Sequence, residues 1–430
     1  MNSPSDHSPS FGHTIVTGLI VTAVILCGKF VLEHFSLYQA HQLASYSWLQ
    51  SQLQPPRTRA SLPIVLIDIN KLEPKIEEVN GKKFSVTPRS ELLSLISAVA
   101  AQEPKVIGVD IDFATNEFGY PGLERDPPFF RSLLSLKKTV PIFLGIGRSH
   151  GKHPSKWLGD PEFQGLAADL VSPEDQRKMY QWVEVAGNPS AASGRGPSLS
   201  GALAEAFAEP QWEPPGLIRW ALIRDHEEQI EPNIKASEFL VDFSAVQTFQ
   251  DMRITTIDPK VIADFNWALK GKVVLIGDGV TSYSRDTFYL PTLSHPKPVP
   301  GIYKHASATY TLIMAPLYEL TRSGRLVVGF FLSLFVLVLL ALLRRFFARH
   351  TSNRLAEETA MLLLTILVSI GVFLVGVLFV HYTRTILDDF LFVIFALFIH
   401  SPVAIGLEFI NSFRKRLPTA IVETLSEPTE

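Results

Sequence analysis

Four apolar runs bracket one long polar block, and this layout limits what the chain can fold into. The first run covers Thr14 to Leu32 and gives a predicted span at 14–33. The others are Leu326 to Leu343, Met361 to Val380 and Ile386 to Leu407. Each is close to the roughly 20 residues with which an α-helix crosses a bilayer. The block between, residues 34–325, must fold outside the hydrocarbon, because its backbone polar groups need partners. The expectation is a membrane protein that displays one domain on one side.

Lys and Arg near helix ends set the side. The loop after the second run carries Arg344, Arg345, Arg349 and Arg354, and the segment after the fourth carries Arg414, Lys415 and Arg416. Both are expected in the cytoplasm. The loop between the third and fourth runs holds Arg384 beside Asp388 and Asp389 and fits the outside. Parity puts residues 34–325 outside, with residues 1–13 and 408–430 in the cytoplasm. The first flank dissents: Met1 to His13 has no Lys or Arg, and Lys29 lies at the outer end of its run. The dense Arg cluster in a short loop outweighs it. The first run lacks a basic n-region and a small-residue cleavage pattern, so it reads as an uncleaved anchor. Ser36 to Leu53 then reads as a helical stalk, stopped by Pro55-Pro56.

Hydrophobic residues make up 47% of the chain and the net charge is -3, which fits spans plus an ordinary domain. No basic patch of the kind nucleic acid demands is present. Cys27 is the single cysteine. An intrachain disulfide is therefore impossible, and zinc sites built on several cysteines are excluded.

Within the block, Leu62 to Ile69 reads as a buried strand ending in Asp68 and Asn70. A Gly-Lys-Lys hairpin follows. Thr87-Pro88-Arg89-Ser90-Glu91 reads as a helix start, with a capping residue, proline in the first turn and an acid after it. The helix runs through Leu92, Leu93, Ile96 and Val99 into a strand from Val106 to Phe113, a unit that predicts parallel pairing. Further strands are predicted at Val140 to Gly147, Leu217 to Ile223, Phe239 to Phe243 and Lys272 to Ile276. Helices are predicted at Leu199 to Phe207 and Gly301 to Leu312. Ser149 to Ser198, rich in Gly, Pro, Ser and charge, reads as long loops or an insertion. The fold class expected is α/β, an extracytoplasmic domain with a mostly parallel central sheet, plus four transmembrane α-helices, one N-terminal and three C-terminal.

Four ordered segments carry a resemblance. They are Val65-Leu66-Ile67-Asp68; Pro88-Arg89 through Lys105-Val106-Ile107-Gly108-Val109-Asp110; Leu269 through Gly277 with Asp286 and Pro291; and Pro300-Gly301-Ile302-Tyr303-Lys304-His305-Ala306. In order and spacing they resemble the type 2 CHASE domain, an extracytoplasmic sensory module of bacterial signalling proteins, which three membrane helices usually follow. Two positions depart: Val86-Thr87 stands where members often carry Trp, and Leu290-Pro291 where they often carry Thr-Pro. Members usually continue into a cyclase, kinase or similar module, whereas this sequence runs about twenty residues past its last apolar run. The resemblance therefore implies a stand-alone sensor.

Asp68, Asp110 and Asp112 lie at or near predicted strand ends, and Asp278 follows another. Ligands of parallel sheets bind beyond the carboxyl ends of strands. These carboxylates either hold a cation or cap helices and pair with Arg89 and Lys105. Alternation places Asp110 and Asp112 on one strand face. Arg89, at a helix start, faces an anion or Asp110, or forms a structural salt bridge. Asp286 and His305 complete the candidate ligand-binding set, with His305 either a pH sensor or a hydrogen-bonded structural residue. His400, beside Pro402 in the last run, is a polar residue within a predicted span, either functional or packed at a proline kink. Gly145-Ile146-Gly147 and Gly277-Asp278-Gly279 read as turns and not as phosphate cradles, because neither extends into a nucleotide fingerprint. No catalytic residue, metal or cofactor is assigned.

Three function classes follow. The first is a bacterial inner-membrane sensor or receptor subunit, whose outer domain binds a ligand or protein and signals to a separate partner. The second is an accessory subunit of a cell-envelope complex, docking through Ser149 to Ser198. The third is a metal-dependent ectoenzyme built on the strand-end carboxylates. Partners expected are the lipid bilayer, a separate signalling or envelope protein and, as a further option, other copies of the chain. Nucleic acid is not expected.

Overall fold

The computed structural model describes residues 62–79, 81–113, 126–147, 162–207 apart from 171, 175 and 186–194, 222–223, 226–231, 234–280, 287–290, 297–314, 319–320, scattered positions between 324 and 346, and 354–383. The chain divides into two compact units: Gln39–Glu319, and Met1–Tyr38 together with Leu320–Glu430.

The first of these units is built on a five-stranded parallel sheet. Its strands are β1 (Ile64–Asp68), β4 (Val106–Asp110), β5 (Ile142–Ile146), β6 (Ala167–Asp169) and β12 (Val273–Gly277), in the order β1-β12-β4-β5-β6. All four neighbouring pairs run parallel. The sequences IVLID, VIGVD, IFLGI and VVLIG are continuous apolar runs rather than alternating ones. That is the composition of strands covered on both faces.

Alternation divides the core. Ile64, Leu66, Val106, Val273 and Leu275 face α3 (Leu199–Phe207), α4 (Val246–Met252) and α7 (Gly301–Met314). Ile67, Ile107, Val109, Leu144, Val274 and Ile276 face α1 (Arg89–Ala100), α2 (Asp126–Lys137) and the short helices α5 (Pro259–Ile262) and α6 (Asn266–Leu269). The result is three layers, helices over both faces of the sheet, as the α/β expectation requires.

Several details correct the sequence reading. The β1–α1–β4 unit is present, but β1 and β4 are not neighbours: β12, much later in the chain, is inserted between them. Local patterning cannot foresee a strand that arrives from so far away. Helix α1 starts with Pro88 itself in the N-cap position, extended at ψ 116° and without a side-chain cap. The Leu92 amide donates to the Pro88 carbonyl at 3.0 Å. Strand β4 stops at Asp110, short of Phe113, whose ring joins Phe129 and Phe130 of α2. The region 149–198 is not all loop. It supplies β6, β7 (Lys178–Val185) and β8 (Arg195–Pro197). With β10 (His226–Glu231) and β11 (Ile234–Leu240), strands β7 and β8 form an antiparallel sheet in the order β10-β11-β7-β8. The predicted strand at Phe239 to Phe243 breaks at Leu240, because Asp242 accepts a hydrogen bond from the Ser244 amide at 2.9 Å and turns the chain into α4. Of Leu217 to Ile223, β9 (Leu222–Ile223) is described.

Other expectations hold. Helix α3 has the predicted limits, α7 extends the predicted helix by two residues, and the hairpin is β2 (Lys75–Val79) with β3 (Lys82–Val86), turning through Gly81 at φ +75°. Strands β13 (Thr287–Leu290) and β14 (Lys297–Pro300) lead into α7.

In the second unit, α8 (Arg354–Thr383) covers the third predicted span. It leaves Leu363, Leu367, Leu374 and Leu378 exposed. Side chains at several of its positions lie outside the description. Among the described residues no helix is long and apolar enough to cross a membrane.

Helix α3 approaches the antiparallel sheet closely at Gly201, where an added Cβ would lie 2.3 Å from the Gln181 carbonyl oxygen. At Gly108 the atoms nearest an added Cβ belong to the ends of the Leu203 and Leu275 side chains, at 2.8–3.0 Å. Gly201→Ala is therefore expected to cost more than Gly108→Ala, above the 1–3 kcal/mol or so typical of overpacking. Thermal melts of the solubilised full chain test the order, and equal melting temperatures would refute it.

Candidate functional site

The parallel register brings the carboxyl ends of β1, β12 and β4 to one edge, and Asp68 and Asp110 both pair in register with Gly277. Asp278 and Gly279 follow at once. Helix α7 begins over the same edge, so Tyr303, Lys304 and His305 enter it from one face of the sheet.

Asp68 is 1% exposed. Its Oδ1 accepts hydrogen bonds from the amides of Asn70 at 3.0 Å and Gly279 at 3.1 Å. Its Oδ2 lies 3.4 Å from Arg253 Nε. Arg253 Nη1 donates to the Tyr303 hydroxyl, and that hydroxyl donates to the Gly279 carbonyl, each at 3.3 Å. The four residues close a ring. Glycine fits closely in it: a Cβ at position 279 would sit 3.1 Å from the Asp68 carboxylate and 3.2 Å from the Tyr303 oxygen, and the ring would have to give by a few tenths of an ångström. Burial raises the Tyr303 phenol above its usual range, with Arg253 opposing.

Asp278 stands beside this ring, half-buried, its Oδ1 accepting from the Val280 amide at 3.0 Å. Burial raises its pKa, and the Asp68 charge adds to the rise. Arg253 is the partly open member, with a third of its side chain exposed.

Next to the ring lies a second buried group. His305 Nε2 is 3.8 Å from Asp110 Oδ1, and its Nδ1 is 3.4 Å from Ser200 Oγ on α3. Burial first, and the Lys304 charge second, push its pKa from the usual 6.5 to about 3. The imidazole is therefore neutral near pH 7, and its contact with Asp110 is not an ion pair. Ser, His and Asp together carry the composition of a nucleophilic triad without its geometry. The Ser200 hydroxyl donates to the His305 carbonyl at 3.2 Å and is wholly buried. The arrangement holds helices together; it does not present a nucleophile.

Asp112 lies beyond the end of β4, so strand alternation does not extend to it. Its Oδ1 accepts from the Gly147 amide, past β5, at 2.7 Å. Arg89 is placed away from the edge. It bonds Asp126 at 2.9 Å, with both side chains 9% exposed, and its guanidinium lies 4.8 Å from the Phe113 ring. That is the structural salt bridge among the readings open to it. Asp286 and His400 lie outside the described residues. Among those described, no three His, Cys, Asp or Glu side chains group as a metal site. Sequence reasoning did not single out Arg253, Tyr303 or Ser200. Tyr303 lies inside one of the four recognised segments, but neither Arg253 nor Ser200 carries a local signal.

The model of the CHASE2 domain matches residues 17–343. The chain belongs to the CHASE2 family. Its members are extracytoplasmic sensory domains, so signal reception is the coarse function of this one. No curated protein matches, and no solved structure does. In this CHASE2 domain the described parts of the family segments converge in space: the first two end at the charged edge in Asp68 and Asp110, the third reaches it at Gly277, and the fourth leads into α7, which begins there.

The neutral His305 gives a signed pH dependence. Its folded pKa lies below its ordinary value, so the unfolded chain takes up the proton first. Its contribution to stability is whole above pH 6.5 and is lost as pH falls toward 3. The limiting slope is about 1.4 kcal/mol per pH unit. His305→Gln should flatten denaturation midpoints of the solubilised chain between pH 6.5 and 4. An unchanged slope would show that other groups carry it.

Proposed function

We propose that this chain is a receptor subunit of a bacterial inner membrane. Spans at 14–33, 326–343, 361–380 and 386–407 hold it, the domain stands outside, and both chain ends are cytoplasmic. The exposed leucines of α8 support the membrane assignment, since a lipid environment would cover them. A ligand or protein engages the charged edge, and a separate partner receives the signal.

Helix α7 carries this reading. Every residue from Gly301 to Ile313 is buried. Its first turns hold Tyr303, Lys304 and His305 at the charged edge. It runs antiparallel to the strands: the Tyr310 ring meets Phe249 at 6.1 Å, and the Thr311 hydroxyl accepts from the Asp242 amide at 2.9 Å. Both partners belong to α4 or its approach, and α4 runs along β1 to Ile254, which bridges Ile67. Fourteen residues of helix rise about 20 Å, enough to traverse strands of five residues. So α7 starts among the ionisable groups and ends at the opposite edge, from which residues 315–325 lead to the run at Leu326. A ligand that binds one setting of α7 better than another shifts the population, and the far end of the helix reports it.

Hydrogen exchange on the reconstituted full chain tests the relay. Asp278→Asn removes a carboxylate that burial holds in an unfavourable ionised state. Amide protection is expected to change along α7 as far as Met314. A change confined to residues 277–280 would refute the relay. Placement is tested separately: protease added outside spheroplasts should digest the unit 39–319 while a C-terminal epitope survives. Digestion of the epitope alone would reverse the orientation.

A further inference from the structure

Gly279 opens a small nook in the charged edge. The place where a side chain would begin is bounded by Asp68 Oδ2 at 3.1 Å and by the Tyr303 hydroxyl at 3.2 Å. Asp68 is 1% exposed, and its Oδ2 makes no hydrogen bond. Arg253 Nε, 3.4 Å from that oxygen, is also buried without a hydrogen bond. The pair therefore balances charge but does not replace the hydrogen bonds that both atoms had in water. Buried polar atoms in this condition are uncommon in folded proteins. The nook keeps an acceptor with spare capacity.

Charge points the same way. The charged groups that act on Tyr303 are Arg253, Asp68 and Asp278, two carboxylates against one guanidinium. Asp278 is half-buried and next in the chain to Gly279. Its Oδ1 accepts from the Val280 amide at 3.0 Å, and no ion pair joins it among the described residues. The Asp68 carboxylate is the charge that acts on it. The other ionisable groups of the edge are engaged elsewhere. Asp110 contacts His305, Asp112 takes the Gly147 amide, and the Lys304 ammonium lies 6.0 Å from the Phe288 ring. One added positive charge would balance the nook.

The oxygens select the kind of cation. A primary ammonium carries three N–H donors and no acceptor, which suits a nook walled by acceptors. A divalent metal asks for a cage of six or more oxygens, and no group of three acidic or His side chains forms one among the described residues. A quaternary ammonium has the charge and no donor. We propose that the nook over Gly279, between Asp68, Tyr303 and Asp278, binds a primary ammonium group of the ligand. The inference rests on the receptor reading above and gives that ligand a chemical class. Free amines and peptide amino termini both carry the group, and the test separates them.

The solubilised full chain is melted in methylammonium, tetramethylammonium and magnesium chlorides at equal ionic strength. A ligand that binds the folded state raises the melting temperature. Methylammonium is expected to raise it above the tetramethylammonium baseline, and magnesium is not. In Asp278→Asn the half-saturating concentration should rise about tenfold, which is the loss of one hydrogen bond to a charged group. Gly279→Ala should abolish the response by filling the nook. If that variant melts too low to compare, Asp278→Asn decides alone. Glycinamide, whose ammonium is that of a peptide end, is titrated in parallel. Stabilisation by either amine supports the assignment, and the tighter one names the source. Melting temperatures that neither amine moves from the tetramethylammonium baseline overturn it. So does a response undiminished in Asp278→Asn, or a larger one to magnesium. The relay along α7 is read by hydrogen exchange with no ligand present, so it stands or falls separately.

Discussion

One carboxylate joins three stretches of chain that the sequence keeps far apart. Asp68 closes β1, receives the Gly279 amide from 211 residues away and faces Arg253 from the approach to α5. A carboxylate this deeply buried is stable only when it is matched by charge and hydrogen bonds. The amides and the guanidinium supply both. Removing Asp68 would strand Arg253 and release the turn after β12, so the charged edge exists as an edge because of this group. Its ordering also fixes Tyr303, and through it the first turn of α7.

Much of the fold was legible where burial dominates. The continuous apolar strands β1, β4, β5 and β12 announced a parallel sheet, and the helix start at Thr87 to Glu91 with the apolar positions after it announced α1. Legibility failed where tertiary context decides. The alternation in Lys178–Val185 was masked by Gly- and Pro-rich flanks, so an antiparallel sheet was read as loops. The candidate site was half legible. Strand-end aspartates follow from the geometry of parallel sheets, and Asp68, Asp110 and Asp278 do share an edge. Arg89 was drawn toward that edge by its helix-start position, yet its partner is Asp126, on a helix that no motif tied to it. Arg253 has the reverse history: nothing local marks it, and only the bridge between Ile67 and Ile254 brings it to Asp68.

Helix α7 is unusual for its polarity at full burial. Ser307, Thr309 and Thr311 are buried with it, and two of these hydroxyls are satisfied within the helix: Thr309 donates to the His305 carbonyl at 2.8 Å and Thr311 to the Ser307 carbonyl at 2.7 Å. Bonds of this kind travel with the helix. Against α3 a polar contact is made by a small residue, Ser200, whose hydroxyl donates to the His305 carbonyl at 3.2 Å. Hydroxyls bonded within the helix suit a sliding element better than a fixed strut.

The central position of β12 has a consequence for biogenesis. Until residue 277 has been made, β1 and β4 each present an open edge, and the sheet cannot close across its middle. Contacts of such long sequence separation slow folding and prolong exposure of unpaired strands. A nascent domain threaded outward across a membrane would stay incomplete through most of its export. It would then lock in a single late step, when the strand that completes the sheet and the helix that leads to the next apolar run arrive almost together.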